Sequence, residues 1–362
     1  MPDNSIAKVT VVLPARNCAG HLDRCLQIFT ADNNGTGTPS RKTGHAQTPA
    51  LIVVDDGSTD GTAQMVREKW PSVTLLTLPA HTGYAHAANA GLRLVRTEYA
   101  FLLRPDLQPG KKCLQRLLQA MEAGAQGGDG SSVFCTVPVR SSPAPGNAGR
   151  KPFETVAVPD GCALYRMQAL EEIGWFDERH FDGLEAFDLS LRAALYGWRT
   201  LQVPGAAVRP WRRDPHTDTF RRQLAAGNAP FVLYKNLPGL QRLLGAPLYM
   251  AADAAQAAAF RKEGEAGAWR MARTRGRALR SLERERRTAL KDGISVYPEN
   301  IADASFLGME EAVRRIYPLF IAQKEPVILS RLPQYLHLQR LLLSAHVHCF
   351  KTIVGVQALD GV

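Results

Sequence analysis

The length and composition of this chain are those of an ordinary globular protein, since 362 residues, 45% hydrophobic and 22% charged, suffice for one large domain or for a core domain with an appendage. The six cysteines include no CxxC pair, which argues against a zinc site and a disulfide framework and suits a reducing compartment. The net charge of +10 favours nucleotide diphosphates or anionic lipid surfaces as partners. Nucleic acid is disfavoured, because the basic residues are not interleaved with aromatic ones and the sequence shows no nucleic-acid recognition module.

Strand and helix patterns alternate through the first hundred residues. Predicted strands lie at 9–13, 51–55, 73–78 and 99–103, and predicted helices at 17–29, 61–69 and 85–95. Helices of about ten residues between strands indicate βαβ units and a parallel sheet. Two segments rich in glycine and proline, 31–50 and 124–150, are predicted surface loops.

The sequence pattern changes near residue 238. Before it, one more strand region is predicted at 156–165, with helices at 167–172 and 188–196. After it, alanine-rich and Arg/Glu-rich helical patterns predominate, so we expect an α/β domain over residues 1–238 and a helical appendage over 239–362. We expect the amphipathic segment 336–356 to pack on its own domain, with a membrane-surface helix as the alternative.

Targeting signals are not evident. The first residues lack the basic-then-apolar pattern of a signal peptide, and no apolar run reaches about 18 residues. The expected location is therefore the cytoplasm, without a transmembrane helix.

The segment 51–62 is the most informative part of the chain. An apolar run ends in Asp55 and Asp56 and is followed by a Gly/Ser/Thr turn, which predicts the carboxyl end of a buried parallel strand, where α/β sheets bind ligands. Asp56 can accept hydrogen bonds from a base or a ribose, and Ser58 or Thr59 can cap the helix that starts near Ala63. The alternative is that these acids serve only the strand–turn–helix corner.

Six other segments occur with this one in a characteristic order. They are PARN at 14–17, TGYA to NAGL at 82–92, LLRPD at 102–106, GCALYR at 161–166, IGWFDE at 173–178 and EAFDL at 185–189. The series resembles family 2 glycosyltransferases of the GT-A fold, especially the rhamnosyltransferase-like branch, over about residues 8–238. The resemblance implies an α/β fold with a mostly parallel wound sheet that binds a nucleotide-diphospho-sugar, followed by an acceptor-binding portion.

The resemblance also implies a set of donor-binding residues, which are Pro14, Asn17, Asp55, Asp56, Gly83, Asn89 and Arg104. Within it, Asp56 hydrogen-bonds the pyrimidine base, and a buried acceptor left unpaired there would cost about 1–3 kcal/mol. Asn89 either contacts the donor or caps its helix. Residues 161–165 border the sugar and the acceptor.

The metal motif departs from the family pattern. The family has Asp-x-Asp, or Asn-Pro-Asp in the rhamnosyltransferase-like branch, where this chain has Arg104-Pro105-Asp106. A guanidinium offers no oxygen ligand to a divalent cation. We expect Arg104 to face away and to leave Asp106 as the one acidic ligand of Mn²⁺ or Mg²⁺. The alternative is that Arg104 contacts the diphosphate and replaces the charge of the cation.

The general base is also altered. Inverting transfer needs a base that takes the proton of the acceptor hydroxyl. The family places an aspartate at the position that Ala186 occupies here. Glu185 or Asp182 could act instead, whereas Asp188 is a weaker candidate because its family counterpart is a helix N-cap.

A third departure concerns a histidine that the family often has a few residues after the proline matching Pro204. Arg209 or Pro210 stands there, and the next histidine is His216. The arginines between 209 and 222 could bind a diphosphate or an anionic acceptor, or they could form a solvated surface.

These observations predict an inverting glycosyltransferase that moves a sugar from a UDP- or dTDP-linked donor to a saccharide or lipid-linked acceptor. Its positive charge would hold it in peripheral contact with the inner face of the membrane. The altered motifs favour, as an alternative, a catalytically degenerate relative that acts as a nucleotide- or glycan-binding partner or scaffold. A nicotinamide-dependent dehydrogenase is disfavoured, because no GxGxxG follows the first strand.

Overall fold

The computed structural model describes residues 6–30, 48–125, 133–140, 150–156, 158, 161–211, 215–236 and 239–291. These residues fall into two compact units. The first unit holds those within 1–154, 158–172 and 198–213, and the second holds those within 155–157, 173–197 and 214–362. The boundary expected at residue 238 stays a prediction.

The described strands form one mixed sheet in the first unit. They are β1 (Val9–Ala15), β2 (Ala50–Asp56), β3 (Thr74–Leu78), β4 (Tyr99–Leu103), β5 (Leu107–Pro109), β6 (Val133–Val139), β7 (Phe153–Glu154), β8 (Cys162–Arg166) and β9 (Arg199–Pro210). The order is β3-β2-β1-β4-β8-β6-β9-β5, with β7 paired to β9. The strands β3, β2, β1 and β4 are parallel, as predicted, whereas β8 runs antiparallel to both β4 and β6.

The described helices are α1 (Ala19–Thr30), α2 (Thr62–Lys69), α3 (Tyr84–Leu92), α4 (Cys113–Ala125), α5 (Met167–Ile173), α6 (Glu185–Leu195), α7 (Pro215–Asn236), α8 (Gly239–Lys262) and α9 (Ala266–Lys291). The helical pattern expected after residue 238 is confirmed over α8 and α9, while 336–356 lies outside the described residues. Within the described part of the chain, every helix is too short or too polar to cross a bilayer.

The first strand runs two residues further than predicted. It was expected to stop at Pro14, but β1 continues to Ala15, which lies opposite Asp55 of β2. The ladder between β1 and β4 ends at Val12, so that ladder does not need the N–H that Pro14 lacks.

The two faces of the parallel strands pack against different helices. Val53 belongs to the core cluster that includes Leu22 of α1. Val54 points to the opposite face, where α3 packs so closely that a Cβ on Gly91 would lie 2.8 Å from the Val54 Cγ2 atom. By the same alternation, Asp55 projects on the α1 face and Asp56 on the α3 face.

Four of the described strands were not predicted: β5, β6, β7 and β9. β6 lies inside 124–150, so the prediction of a loop there is wrong over Val133–Val139, where a short apolar run is fully buried. β9 contains Pro204-Gly205, a dipeptide typical of turns. The pairing of β6 with β9 jumps from Pro138↔Val203 to Val139↔Ala207, so the irregularity takes up residues 204–206, which include this dipeptide.

Candidate functional site

Hydrogen bonds join the loops that follow β1 and β2 in the first unit. Asn17 has a φ of 45°. Its N–H donates to Ser58 Oγ at 2.9 Å, and its Oδ1 accepts the Thr59 N–H at 2.8 Å. The predicted donor-binding Asn17 therefore holds two loops together, and Pro14 lies buried in β1 opposite Val54.

Asp60, and not Ser58 or Thr59 as expected, accepts a backbone N–H group at the start of α2. The N-cap of α2 is Gly61, which has no side-chain cap, and Asp60 accepts the N–H groups of Thr62 at 3.0 Å and of Ala19 at 3.3 Å. Partial burial raises the pKa of Asp60, but these hydrogen bonds outweigh it and hold the pKa below its usual value.

The carboxylate of Asp56 binds the turn that leads into α3. It is buried and accepts hydrogen bonds from His81 Nδ1 at 2.7 Å, Thr82 N at 2.7 Å, Thr82 Oγ1 at 2.8 Å and Gly83 N at 3.1 Å. A carboxylate offers about four lone-pair sites, so this turn uses its accepting capacity. Gly83, with a φ of 95°, is the N-cap of α3.

Asn89 lies within α3 and is buried. The capping positions of this helix are Gly83 and Arg93, so the alternative that Asn89 caps the helix is wrong.

Asp55 differs from its neighbour Asp56. Only 1% of the residue is exposed, and among the described residues none donates a hydrogen bond to its Oδ1 atom. Burial, together with the negative charges of Asp60, Asp106 and Asp55, raises the pKa of the Cys18 thiol to about 12. Because β2 and β4 are the parallel neighbours of β1, their carboxyl ends lie at the edge of the sheet where the loop after β1 begins.

Arg104 lies beside Asp106, which corrects the expectation that it faces away. It is buried, its Cζ lies 4.5 Å from the centroid of the Tyr84 ring, and its Nε lies 3.7 Å from Asp106 Oδ1. The backbone N–H of Arg104 donates to the Gly161 carbonyl at 2.7 Å. A Cβ on Gly161, whose φ is +83°, would overlap the Arg104 side chain.

This arrangement does not fit a divalent cation on Asp106. Asp106 is the one carboxylate of the Arg-Pro-Asp triplet, and a cation bound to its Oδ1 would lie close to the guanidinium. Two unit charges 4 Å apart interact by about 4 kcal/mol at an effective dielectric constant of about 20, and a divalent ion doubles this repulsion. The electrostatics at Asp106 therefore oppose the expected Mn²⁺ or Mg²⁺.

The end of β9 adjoins the same triplet. The backbone N–H of Trp211 donates to the Asp106 carbonyl at 2.9 Å, and the exposed Arg209 pairs with Gln108 of β5. The structure thus brings the region of Arg209 and Pro210 next to the metal motif, while the side chain of His216 lies outside the described residues. Three residues that contact Arg104 or Asp106 were not identified from the sequence, namely Tyr84, Gly161 and Trp211. The signal available for Tyr84 was its position directly after Gly83.

In the second unit, a buried alanine stands at the position where the family resemblance implies a general base. Ala186 is the second residue of α6, and Glu185, its first residue, is fully buried. Asp182 precedes the helix and is partly exposed, with its Oδ2 3.4 Å from Arg221 Nε. Asn228 Nδ2 donates to the carbonyls of His180, Asp182 and Gly183, which fixes the turn before α6.

Asp188 lies in a buried charge network and is not a helix cap, because α6 begins at Glu185. Its carboxylate accepts hydrogen bonds from Arg192 Nε at 3.1 Å, Lys235 Nζ at 2.9 Å and Asn236 Nδ2 at 2.7 Å. Burial raises the pKa of Asp188, but Lys235 and Arg192 outweigh it and hold the pKa well below its usual value. Such a carboxylate is a poor proton acceptor.

Asp177, His180 and Asp188 also form a set of potential metal ligands, with one ligand atom each within 4.8 Å of the others. The Lys235 ammonium already bridges Asp177 Oδ2, at 2.7 Å, and Asp188 Oδ2. Lysine therefore supplies the cation that these two carboxylates require.

Comparisons with known proteins agree with the motifs. Residues 10–174 match the model of glycosyl transferase family 2, which confirms the resemblance. The N-acetylglucosaminyl-diphospho-decaprenol L-rhamnosyltransferases of two Mycobacterium tuberculosis strains, CDC 1551 / Oshkosh and ATCC 25618 / H37Rv, are each 29% identical over 203 residues. The alignment covers 44% of this chain and 65% of each relative, less than two thirds of their length.

Solved structures with low identity were also found. The mannosyltransferase PcManGT from Pyrobaculum calidifontis, in complex with GDP-Man and Mn²⁺, is 18% identical with a TM-score of 0.48 and covers 97% of this chain and 88% of that one. GalNAc-T7 with UDP, GalNAc and Mn²⁺ is 16% identical with a TM-score of 0.45, covering 57% and 44%. Residues 1–349 of S. aureus TarS with UDP are 14% identical with a TM-score of 0.42, covering 80% and 93%.

Proposed function

We propose that this chain, which carries a family 2 glycosyltransferase domain over residues 10–174, transfers a sugar with inversion from a UDP- or dTDP-linked donor to a saccharide or lipid-linked acceptor. The observation that carries the proposal is the buried Asp55 Oδ1, which has no hydrogen-bond donor among the described residues at the carboxyl end of β2. A buried acceptor without a partner requires an explanation, and a hydrogen-bond donor on a bound ligand supplies one.

Asp55 reads the pyrimidine base, and Asp56 shapes the turn beside it. Uracil and thymine both carry a proton on N3, which Asp55 Oδ1 accepts. Cytosine has no proton on N3, so a CDP-linked donor leaves the carboxylate unpaired at a cost of about 1–3 kcal/mol. This assignment moves the base contact from Asp56 to Asp55, because Asp56 already accepts four hydrogen bonds from the turn.

The acceptor is a lipid-linked saccharide. The named function of the mycobacterial relatives refers to a sugar on a decaprenyl diphosphate, and the net charge of +10 suits an anionic diphosphate at a membrane surface. Peripheral contact with the inner face of the membrane, from the cytoplasm, belongs to the same proposal.

Asp182 takes the proton of the acceptor hydroxyl in place of the missing aspartate at position 186. A base must come within about 3 Å of the proton donor. The Asp182 side chain is partly exposed, whereas Glu185 is fully buried and Asp188 is paired with Arg192 and Lys235.

A transfer assay tests this function. UDP- and dTDP-sugars are incubated with the protein and a polyprenyl-diphosphate-linked N-acetylglucosamine, and products are separated and their anomeric configuration is determined. We expect an inverted product, a loss of kcat of about 10²–10⁴ for Asp182→Asn, and little loss for the exposed control Glu171→Gln. Absence of both donor binding and transfer would overturn the proposal.

A second candidate is favoured by Ala186, which is buried at the base position and cannot move a proton. In this case the chain binds the donor or a glycan as the partner of an active transferase. Donor binding without transfer or donor hydrolysis, under conditions in which an active family member turns over, supports this candidate. Turnover that Asp182→Asn abolishes excludes it.

A further inference from the structure

We infer that the Arg104 guanidinium binds the diphosphate of the donor in place of a divalent cation, so that nucleotide binding requires no metal ion. This inference rests on the proposed function, because it concerns the same donor. It departs from the cation expected from the family resemblance.

The residues around Arg104 pack closely against its side chain and leave it little room to move. Its guanidinium stacks on Tyr84, the first residue of α3, with Cζ 4.5 Å from the ring centroid. Gly161 leaves the space that the arginine carbons occupy, since a Cβ there would overlap them. The Gly161 carbonyl also accepts the Arg104 N–H, so the residue is held at both its backbone and its side chain.

The charges agree with a replaced cation. With a divalent cation, an Asp-x-Asp motif has a formal charge of zero and an Asn-Pro-Asp motif has one of +1, and Arg104 with Asp106 has a formal charge of zero without a cation. The Arg104 Nε to Asp106 Oδ1 distance of 3.7 Å is too long for a hydrogen bond, so the pair interacts through charge. Asp106 thereby orients the guanidinium without binding a metal.

The position suits a diphosphate. Arg104 follows β4 directly, and β4 and β2 both pair in parallel with β1, so Arg104 and the proposed base-reading Asp55 lie at the same edge of the sheet. Guanidinium presents a planar fork of N–H donors that matches two phosphate oxygens. The base and the diphosphate of one nucleotide can therefore engage Asp55 and Arg104 together.

Calorimetric titration with UDP, in EDTA and in Mn²⁺, tests the inference, with uridine binding measured in parallel by saturation-transfer NMR. We expect equal UDP affinity in EDTA and in Mn²⁺. Arg104→Gln should weaken UDP binding by about 10- to 100-fold and leave uridine binding unchanged. Arg104→Lys should weaken UDP binding less than Arg104→Gln does, because lysine keeps the positive charge.

Arg104→Asn restores the first residue of the Asn-Pro-Asp pattern and serves as the matched variant. We expect it to lose UDP affinity in EDTA and to recover part of it in Mn²⁺, with uridine binding as the control for folding. UDP binding that requires Mn²⁺ in the unmodified chain, or that Arg104→Gln leaves unchanged, would overturn the inference and leave the proposed function standing. Absence of UDP and uridine binding under every condition would overturn both.

Discussion

The Lys235 Nζ atom lies 2.9 Å from Asp188 Oδ2, and both side chains are buried. This pair joins α6 to α7 across 47 residues of sequence. It gives the aspartate of the segment EAFDL a structural role within the second unit. Asp188 stabilises the second unit, and its replacement should affect folding before it affects chemistry.

Asp188→Asn should lower the free energy of unfolding by about 3–5 kcal/mol, because it leaves the buried Arg192 without its anion and leaves Lys235 with Asp177 alone. Urea denaturation followed by circular dichroism measures this loss. Glu263→Gln is the matched control, since the Arg222–Glu263 pair is exposed and should contribute no more than about 1 kcal/mol. Equal, small effects of the two substitutions would refute a structural role for Asp188.

The same network predicts a pH dependence of stability. The folded pKa values of Asp177 and Asp188 lie well below the ordinary value of 3.8. Their contribution to the free energy of unfolding is therefore present above pH 3.8 and is lost as the pH falls below it. Over that range the unfolded carboxyls are protonated while the folded ones stay ionised. Urea midpoints between pH 3 and pH 6 should show a decline towards acid that is shallower in Asp188→Asn. A decline of equal slope in both proteins would contradict the assignment.

Gly161→Ala should weaken UDP binding, because the added Cβ displaces the Arg104 side chain. It should also cost about 1–3 kcal/mol of stability, since the φ of +83° is unfavourable for alanine. Gly197→Ala isolates this second effect, because Gly197 has a φ of +84° and an added Cβ would meet no atom within 4 Å. Calorimetry on both variants checks the difference, and equal UDP affinities would count against the placement of Arg104.

Asp56→Asn should loosen the turn before α3. The amide N–H groups of Thr82 and Gly83 donate to this carboxylate, and a neutral amide accepts such bonds more weakly. Hydrogen exchange at these two amides should accelerate, while exchange in the core strand β4 stays slow. Unchanged protection at Thr82 and Gly83 would show that Asp56 does not hold the turn.

Much of the first unit follows from sequence, because buried strands and amphipathic helices are local patterns. Asp55 and Asp56 were correctly expected at the carboxyl end of a strand. Their different environments were not predictable, because the donors to Asp56 come from residues 25 to 27 positions away.

The orientation of Arg104 and the role of Asp188 were unpredictable for the same reason. Arg104 depends on Tyr84 and Gly161, and Asp188 depends on Lys235, all of them distant in sequence. A motif match identifies residue types at a strand end or a helix start. The contacts that decide their chemistry form only in the folded chain.

Calorimetric titration of the unmodified protein with UDP and with CDP tests the central claim most directly, because the two ligands differ only in the pyrimidine edge that Asp55 is assigned to read. The account predicts that UDP binds at least about tenfold more tightly than CDP, since only uracil can donate its N3 proton to the buried Asp55 Oδ1. Equal affinities for the two nucleotides, or no binding of UDP, would contradict it.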